Sequence, residues 1–163
     1  MGELSRAVGY VFQNPLHTLY ALTIQDELSF YPRNQGWSPE RIRRSVAAVL
    51  SALELEAYAR DSPLTLSAGE QQRVSIAAVL TGFPRIIILD EPTLGMTRRD
   101  MGALLTIIDR LKRAGHLLIT ITHDLDLVRQ SDRVLVVSGG GVCADGAPTA
   151  ILSEAAIDTI FAR

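Results

Sequence analysis

The stretch Arg85-Ile-Ile-Ile-Leu-Asp90-Glu91-Pro92-Thr93 joins a short run of branched apolar residues to two adjacent carboxylates. An apolar run without polar alternation is typical of a parallel strand covered on both faces. Open α/β sheets bind their ligands beyond the carboxyl ends of such strands. Because two adjacent acids repel each other without a cation, Asp90 is a candidate Mg²⁺ ligand and Glu91 a candidate general base. The alternative interpretation is a strand that ends in solvated acids before a turn at Pro92.

Two further apolar runs predict the rest of the sheet, at Leu117–Thr122 and Val134–Val137. Residues 98–114 carry apolar side chains at helical spacing and are followed by a glycine, which predicts a crossover helix between the first two strands. A shorter helix is predicted over 124–130, and Gly139–Gly141 predicts a tight reversal. The pattern predicts an α/β fold with a mostly parallel sheet and flanking helices.

The first half of the chain has a different pattern. Residues 7–12 predict one short strand, and most of the next seventy residues are helical or irregular. We therefore expect one domain over 1–163, in which a helical lobe and signature helix occupy 14–83 and a parallel-sheet core with a C-terminal segment occupies 84–163. Residues 32–39, with two prolines and a glycine, predict a loop.

Composition limits the possible functions. The chain has 163 residues, 47% of them hydrophobic, which suffices for one compact domain with a buried core. Sixteen basic and eighteen acidic residues give a formal charge of −2, which disfavours a nucleic-acid partner. Cys143 is the single cysteine and is consistent with a reducing compartment. No export signal or bilayer-spanning run is visible, so we expect a cytoplasmic protein, and any membrane role must be peripheral.

A second motif precedes a predicted helix, at Leu66-Ser67-Ala68-Gly69-Glu70. Ser67 and Glu70 have the spacing of a capping box. Small residues and free backbone N–H groups at a helix start can approach a phosphate closely. The alternative interpretation is a well-capped structural helix without any ligand.

These two motifs occur in order with two others, Gln13 in Val11-Phe-Gln-Asn-Pro15 and His123 in Ile121-Thr-His-Asp124. Together they resemble the Walker B motif, the LSGGQ signature, the Q-loop and the switch histidine of ATP-binding-cassette (ABC) ATPases. In the signature, Ala68 and Glu70 differ from the family pattern. The intervals also fit, with 53 residues from Gln13 to Leu66 and 32 from Glu91 to His123.

The resemblance implies a P-loop NTPase-like fold and a role for each motif. Asp90 would serve Mg²⁺, and Gln13 would contact the metal or the attacking water and sense the membrane partner. Glu91 would be the general base, and His123 would contact the γ-phosphate of ATP. The signature residues would act across a head-to-tail dimer, contacting ATP held by a second ABC ATPase subunit. They are Leu66, Ser67, Ala68, Gly69 and Glu70.

Several stretches resemble one branch of the family, the ATPases of energy-coupling-factor transporters and cobalt importers. They are Val8–Pro15, Leu19–Leu28, Thr122–Asp126 and Ala144–Pro148. This resemblance implies import of a vitamin or a transition-metal ion, coupled to ATP hydrolysis. It also implies a transmembrane coupling component and a peripheral position on the cytoplasmic face of the membrane.

The sequence departs from the family pattern in two places. No glycine-rich stretch of the 163 residues matches G-x-x-x-x-G-K-[ST], the P-loop that clamps the phosphates. We therefore interpret the chain as truncated before the Q-loop and expect it alone to be weakly active or inactive. Thr97 stands where the family has an aspartate that links the two nucleotide sites, which predicts altered coupling.

Two alternative functions remain open at this point. One is a non-transport ABC ATPase, although the 53-residue interval after Gln13 leaves room only for a compact helical lobe and not for a long coiled coil. The other is a catalytically incompetent half-cassette that completes the ATP site of a partner.

Overall fold

Three short parallel strands organise the first of two units in the computed structural model, which describes residues 7–153. The units divide between Ile121 and Thr122. The strands are β1 (Val8–Val11), β2 (Ile86–Asp90) and β3 (Leu117–Ile121), in the order β1-β2-β3. The parallel pairing predicted for β2 and β3 is confirmed. The predicted division into a lobe over 14–83 and a core over 84–163 stays a prediction.

The described part of the first unit also contains four α-helices, and each begins directly after a serine or threonine. They are α1 (Ile24–Asn34), α2 (Pro39–Ala52), α3 (Ala68–Leu80) and α4 (Arg98–Arg113). The side chain of each preceding residue accepts a backbone N–H bond from the first turn, which satisfies a donor that the helix itself leaves free. Short 3₁₀ turns lie at Pro15–His17, Glu56–Tyr58 and Pro63–Thr65.

The loop predicted over 32–39 is shorter in the structure. Helix α1 continues through the buried Pro32 and ends at Asn34, so the prediction was wrong for the first three residues. A proline removes one backbone donor, and near the end of α1 this costs a single hydrogen bond. The turn then closes at Gly36, whose φ is +69°.

The two faces of the parallel sheet differ in burial. On the covered face Val11, Ile87 and Leu89 are at most 1% exposed, and Gly9 lies so close to Val79 of α3 that a Cβ would clash with it. The opposite face, here called the open face, includes Val8, Tyr10, Ile86, Ile88, Leu117, Ile119 and Ile121. On it Leu117 is 56% exposed and Ile121 50%. The prediction that these strands are covered on both faces was therefore wrong for the open face, because the described residues supply a buried layer on one side only.

The second unit contains an antiparallel hairpin, β4 (Val134–Ser138) and β5 (Gly141–Gly146). The turn between the strands has positive φ at both Gly139 and Gly140, 56° and 80°, as a tight hairpin turn requires. The reversal predicted at 139–141 is confirmed. The assignment of 134–137 to the parallel sheet was wrong, because in the described residues this segment pairs with the strand after the turn.

The described part of the second unit also contains two short helices, α5 (Leu125–Arg129) and α6 (Pro148–Ile151). Asp124 caps α5 by accepting the Asp126 N–H at 2.9 Å. Within residues 7–153, no helix combines the length and apolarity that a bilayer crossing requires.

Candidate functional site

Asp90 is the last residue of β2, and its carboxylate is held by a side chain from β1. The Tyr10 hydroxyl donates to Asp90 Oδ2 at 2.7 Å. This bond, together with the charge of Asp90, raises the pKa of Tyr10 above its ordinary value. The register explains the contact, since Tyr10 pairs with Ile88 and Asp90 lies two residues further on the same face. Sequence reasoning missed Tyr10, although the parallel pairing of the two strands would have brought it to the same face.

Glu91 adopts a backbone conformation that side chains rarely accept. Its φ is +42°, in the left-handed region that favours glycine. The conformation is fixed from both sides, because the Glu91 N–H donates to Ile121 O at 2.8 Å and its carbonyl accepts the Leu94 N–H at 3.2 Å. Strained residues of this kind concentrate at functional sites. The half-buried glutamate therefore leaves the sheet in a direction set by β3 and by the following turn.

Gln13 lies beyond the end of β1, at the same edge of the sheet as the two acids. Val11 pairs with Leu89 in parallel register, so Gln13 and Glu91 each lie two residues beyond this pair. Gln13 is exposed. Between it and the sheet, Phe12 contacts Tyr10 with ring centroids 4.6 Å apart. The topology thus brings Gln13, Asp90 and Glu91 to one carboxyl-terminal edge, where open α/β sheets bind ligands.

His123 belongs to the second unit, where it is exposed between β3 and α5. Its neighbours form a local turn, in which the Asp124 N–H donates to Thr122 Oγ1 at 3.0 Å. The contact of His123 with a terminal phosphate stays a prediction.

The signature motif forms the amino-terminal turn of α3. Glu70 Oε2 accepts from the Ser67 N–H at 2.9 Å and from Ser67 Oγ–H at 2.7 Å, and the Glu70 N–H donates to Ser67 Oγ at 3.4 Å. The structure thus contains the predicted capping box. The Ser67 hydroxyl is the largest cause of a lowered pKa at Glu70, followed by the Ser67 backbone N–H. Ser67 and Ala68 are exposed, whereas Leu66 is half-buried.

Gly69 is buried against the start of α4. A Cβ on Gly69 would lie within 2.6 Å of Asp100 Cβ and Oδ1. Close packing between two helix starts therefore requires a glycine here, independently of any phosphate. Sequence reasoning attributed Gly69 to ligand approach alone, because the neighbour that excludes a side chain is thirty-one positions away in the sequence.

Thr97 is the N-cap of α4, and it holds the Asp100 side chain. Thr97 Oγ1–H donates to Asp100 Oδ2 at 2.7 Å and the Thr97 N–H donates to the same oxygen at 3.2 Å. The hydroxyl bond is the largest cause of a lowered pKa at Asp100. Sequence reasoning considered Thr97 only as a substituted aspartate. The Thr-x-x-Asp spacing is itself a capping-box signal and could have identified this role.

The acidic pair fits a magnesium ion that shares its ligands with a phosphate. Asp90 is half-buried and oriented by Tyr10, and Mg²⁺ is commonly bound by one or two carboxylates, waters and phosphate oxygens. In the part of the chain that the structure describes, no group of three or more histidine, cysteine or acidic side chains could hold a metal ion. The donors therefore suit an ion that arrives with a nucleotide, not a closed protein metal centre.

Parallel strands that end in an oriented acidic pair, combined with a capped helix start, place the chain in the α/β class. The sequence profile described as ABC transporter matches residues 1–94. The chain is 44% identical to an ABC transporter ATP-binding protein of Pyrococcus furiosus over 86% of its length. It is 41% identical to the cobalt import ATP-binding protein CbiO of Syntrophus aciditrophicus over 93%. The chain therefore belongs to the ABC transporter family.

Further similarities agree with this assignment. The energy-coupling factor transporter ATP-binding protein EcfA of Methanocaldococcus jannaschii is 34% identical over 97% of the chain. The solved structure of CbiO1 from Clostridium perfringens, described as part of the ABC transporter complex CbiONQ, matches 99% of the chain with a TM-score of 0.86 and 29% identity. The predicted ABC ATPase fold and the predicted resemblance to CbiO and EcfA proteins are confirmed. The chain spans 54% of the Syntrophus protein and 67% of the solved CbiO1 chain.

Proposed function

We propose that this chain is the ATP-handling part of an importer ATPase subunit of the energy-coupling-factor and cobalt-importer type, whose cargo is a vitamin or a transition-metal ion. One observation carries the proposal: Asp90 is oriented by Tyr10 at the carboxyl edge of the sheet and is followed directly by a strained glutamate. The name of the similar CbiO protein supports the import role, and the name of the similar EcfA protein supports the energy-coupling-factor type.

The proposed reaction is hydrolysis of the terminal phosphoanhydride bond of ATP. Asp90 and Gln13 would hold Mg²⁺, which when bound neutralises charge on the phosphates. Glu91 would orient the attacking water and accept its proton, so that a P–O bond forms to the water oxygen while the bond to ADP breaks. His123 would contact the γ-phosphate. The strained backbone of Glu91 supports this role, because it fixes where the carboxylate leaves the strand.

The proposed assembly is a head-to-tail dimer with a second ABC ATPase subunit, attached peripherally to a transmembrane coupling component on the cytoplasmic face of the membrane. In this dimer the signature turn of one subunit contacts ATP held by the other. The exposure of Ser67 and Ala68 supports this role. The Glu70 carboxylate lies at the same turn, and Arg73, at 4.0 Å from it, partly offsets its charge.

The 163 residues contain one lysine, Lys112, which lies in α4 and outside any glycine-rich loop. We therefore propose that the chain alone binds ATP weakly and hydrolyses little, since a P-loop supplies the main clamp on the phosphates.

The test mixes the chain with an ABC ATPase subunit that carries a P-loop and measures ATP hydrolysis. We expect the mixture to hydrolyse ATP faster than the sum of the rates of its two components, and Ser67→Asn to remove this increase. Asparagine also caps helices well, so the loss would reflect the signature contact and not an unfolded α3. Ser138→Asn, at an exposed position of the hairpin, is the matched control. No gain with the wild-type chain would contradict the proposal.

A transport assay distinguishes the proposed importer ATPase from the two alternative functions, a half-cassette and a non-transport ABC ATPase. In vesicles containing all components, the importer ATPase predicts that Glu91→Gln stops uptake, whereas a half-cassette that only completes a partner site predicts unchanged uptake. A non-transport ABC ATPase predicts that the tagged chain isolates ribosomes or DNA in place of membrane proteins.

A further inference from the structure

The carboxylate of Asp90 has neighbours of very different character on the two adjoining strands. On the β3 side Asp90 pairs with the apolar Ile121. On the β1 side the Tyr10 hydroxyl donates to Asp90 Oδ2 at 2.7 Å. The torsion that turns the plane of an aspartate carboxylate is broad and roughly two-fold when nothing restrains it. The hydroxyl of Tyr10 therefore restricts a rotation that Ile121 cannot restrict by hydrogen bonding.

The backbone around this carboxylate is fixed as well. Asp90 belongs to the parallel pairing of β2 with β3, and the next residue, Glu91, donates its N–H to Ile121 O at 2.8 Å. The side-chain torsions are therefore the main freedom that Asp90 retains. Because the bond from Tyr10 limits those torsions, it decides how the two carboxylate oxygens are presented to a ligand.

Tyr10 is itself held in position by the sheet and by a neighbouring ring. It lies within β1 opposite Ile88, and its ring packs against Phe12 with centroids 4.6 Å apart and planes inclined at 55°. Tilted aromatic pairs at this separation are favourable. The substitution Tyr10→Phe therefore keeps the ring and its neighbours and removes only the hydroxyl that holds Asp90.

Magnesium and calcium ions use carboxylates in different ways. Ca²⁺ takes roughly six to eight oxygen ligands and readily binds both oxygens of one carboxylate, whereas Mg²⁺ requires a smaller, near-octahedral set and keeps several waters. A carboxylate with one oxygen in a hydrogen bond still offers the other oxygen to a metal. Turning both oxygens towards the same ion would stretch the bond between Tyr10 and Asp90.

We propose that Tyr10 is a positioning residue that makes the metal site at Asp90 selective for Mg²⁺ over Ca²⁺. By holding Oδ2, it leaves Oδ1 as the oxygen that serves the metal. A single oxygen suits the ligand set of Mg²⁺ and withholds the second oxygen that Ca²⁺ favours. This selectivity rests on the proposed function for the metal role of Asp90, and it assigns the choice of ion to a side chain outside the acidic pair.

The test measures the binding of each metal alone to the full chain, so its readout does not depend on ATP hydrolysis. The backbone amide signals of Asp90 and Glu91 are followed by nuclear magnetic resonance during separate titrations with MgCl₂ and CaCl₂. Ionic strength is held constant, because screening alone changes weak electrostatic binding. Asp90→Asn should abolish the signal shifts in both titrations, which identifies the shifts that report on this carboxylate.

The ratio of the two dissociation constants decides the outcome. In Tyr10→Phe we expect the preference for Mg²⁺ over Ca²⁺ to fall by about three- to tenfold, the range that the loss of one hydrogen bond permits. Tyr20→Phe removes a hydroxyl from a tyrosine of the same unit that is 81% exposed, and this matched control should keep the wild-type ratio. A purely structural role of Tyr10 predicts equal weakening of both metals. Circular dichroism melts verify that each variant is folded.

The remaining outcomes separate this selectivity from the proposed function. An unchanged ratio in Tyr10→Phe would overturn the selectivity and leave the metal role of Asp90 intact. Shifts that persist in Asp90→Asn, or no shifts in the wild-type chain, would also overturn it, and hydrolysis in the mixture of subunits would still decide the proposed function. A reduced preference in Tyr10→Phe without any gain of hydrolysis in that mixture would support the selectivity and count against the proposed function.

Discussion

Tyr10 and Asp90 come from neighbouring parallel strands, eighty positions apart in the sequence, and share a hydrogen bond of 2.7 Å between hydroxyl and carboxylate. The bond stabilises one rotamer of a residue that would otherwise end its strand with a mobile side chain. The proposed magnesium ligand is thus positioned before any ion binds.

This bond predicts an unusual tyrosine titration. Because Asp90 raises the pKa of Tyr10 above 10.0, Asp90→Asn should lower it towards that value. The raised pKa contributes stability that is complete at lower pH and is lost as pH rises through the folded-state pKa. An ultraviolet titration of tyrosinate, with Tyr10→Phe to assign the signal among four tyrosines, measures the shift. Asp61→Asn is the control, and an unchanged Tyr10 titration in Asp90→Asn would contradict the contact.

The packing of Gly69 on Asp100 predicts opposite effects for two Gly→Ala substitutions. Gly69→Ala should lower the free energy of unfolding by about 1–3 kcal/mol, because the new Cβ must displace Asp100. Gly102→Ala, in α4 with no atom near its Cβ position, should raise it by about 0.5–1 kcal/mol. Urea unfolding of both variants measures the difference.

A double-mutant cycle assigns the clash to its partner. In an Asp100→Gly background, the cost of Gly69→Ala should fall markedly, because the opposing Cβ and carboxylate are both gone. An equal cost in both backgrounds would show that Gly69 is required for another reason.

The left-handed backbone at Glu91 predicts that glycine is more stable there than alanine. Both substitutions remove the carboxylate, but only glycine relieves the conformation at φ +42°. Glu91→Gly should therefore unfold with a free energy about 1–2 kcal/mol higher than Glu91→Ala. Thermal melts of the two variants test this, and equal stabilities would mean that the strain is not present in solution.

The N-cap role of Thr97 predicts that one substitution there affects folding stability and the coupling of the two nucleotide sites separately. Thr97→Asp should leave the free energy of unfolding within about 0.5 kcal/mol, because aspartate caps helices as well as threonine does. We hypothesise that the same change alters ATP hydrolysis in the mixed dimer, since the family has aspartate at this position. Unchanged hydrolysis would count against altered coupling, whereas a large loss of stability would count against simple exchange of the cap.

An ion pair in the hairpin of the second unit predicts a contribution to folding stability that is lost in acid. Arg133 donates two bonds to Asp145, at 2.7 and 2.6 Å, and the side-chain hydrogen bond lowers the pKa of Asp145 below 3.8. The contribution is therefore present above the ordinary pKa and is lost as pH falls through the folded-state value. Asp145→Asn should reduce the difference in urea midpoint between neutral and strongly acidic pH. An identical difference in both proteins would show that the pair adds no stability.

Much of the fold could be predicted because the signals were local. Ser67 with Glu70, and the glycines at 139–141, specify a helix start and a reversal by the hydrogen bonds and dihedral angles of a few consecutive residues. The parallel pairing of β2 and β3 followed from two apolar runs separated by a helical pattern. The run at 134–137 was assigned to the wrong sheet because an apolar pattern identifies a strand but not the strand with which it pairs.

By itself the sequence determined the family, the acidic pair at the end of a buried strand, and the capped signature turn, since each depends on residue types at short spacing. Only the tertiary structure decided that Tyr10 orients Asp90, that Asp100 requires a glycine at 69, and that one sheet face stays open. These relationships join residues distant in the chain. They depend on strand register and helix packing, which the summed contacts of the whole unit determine.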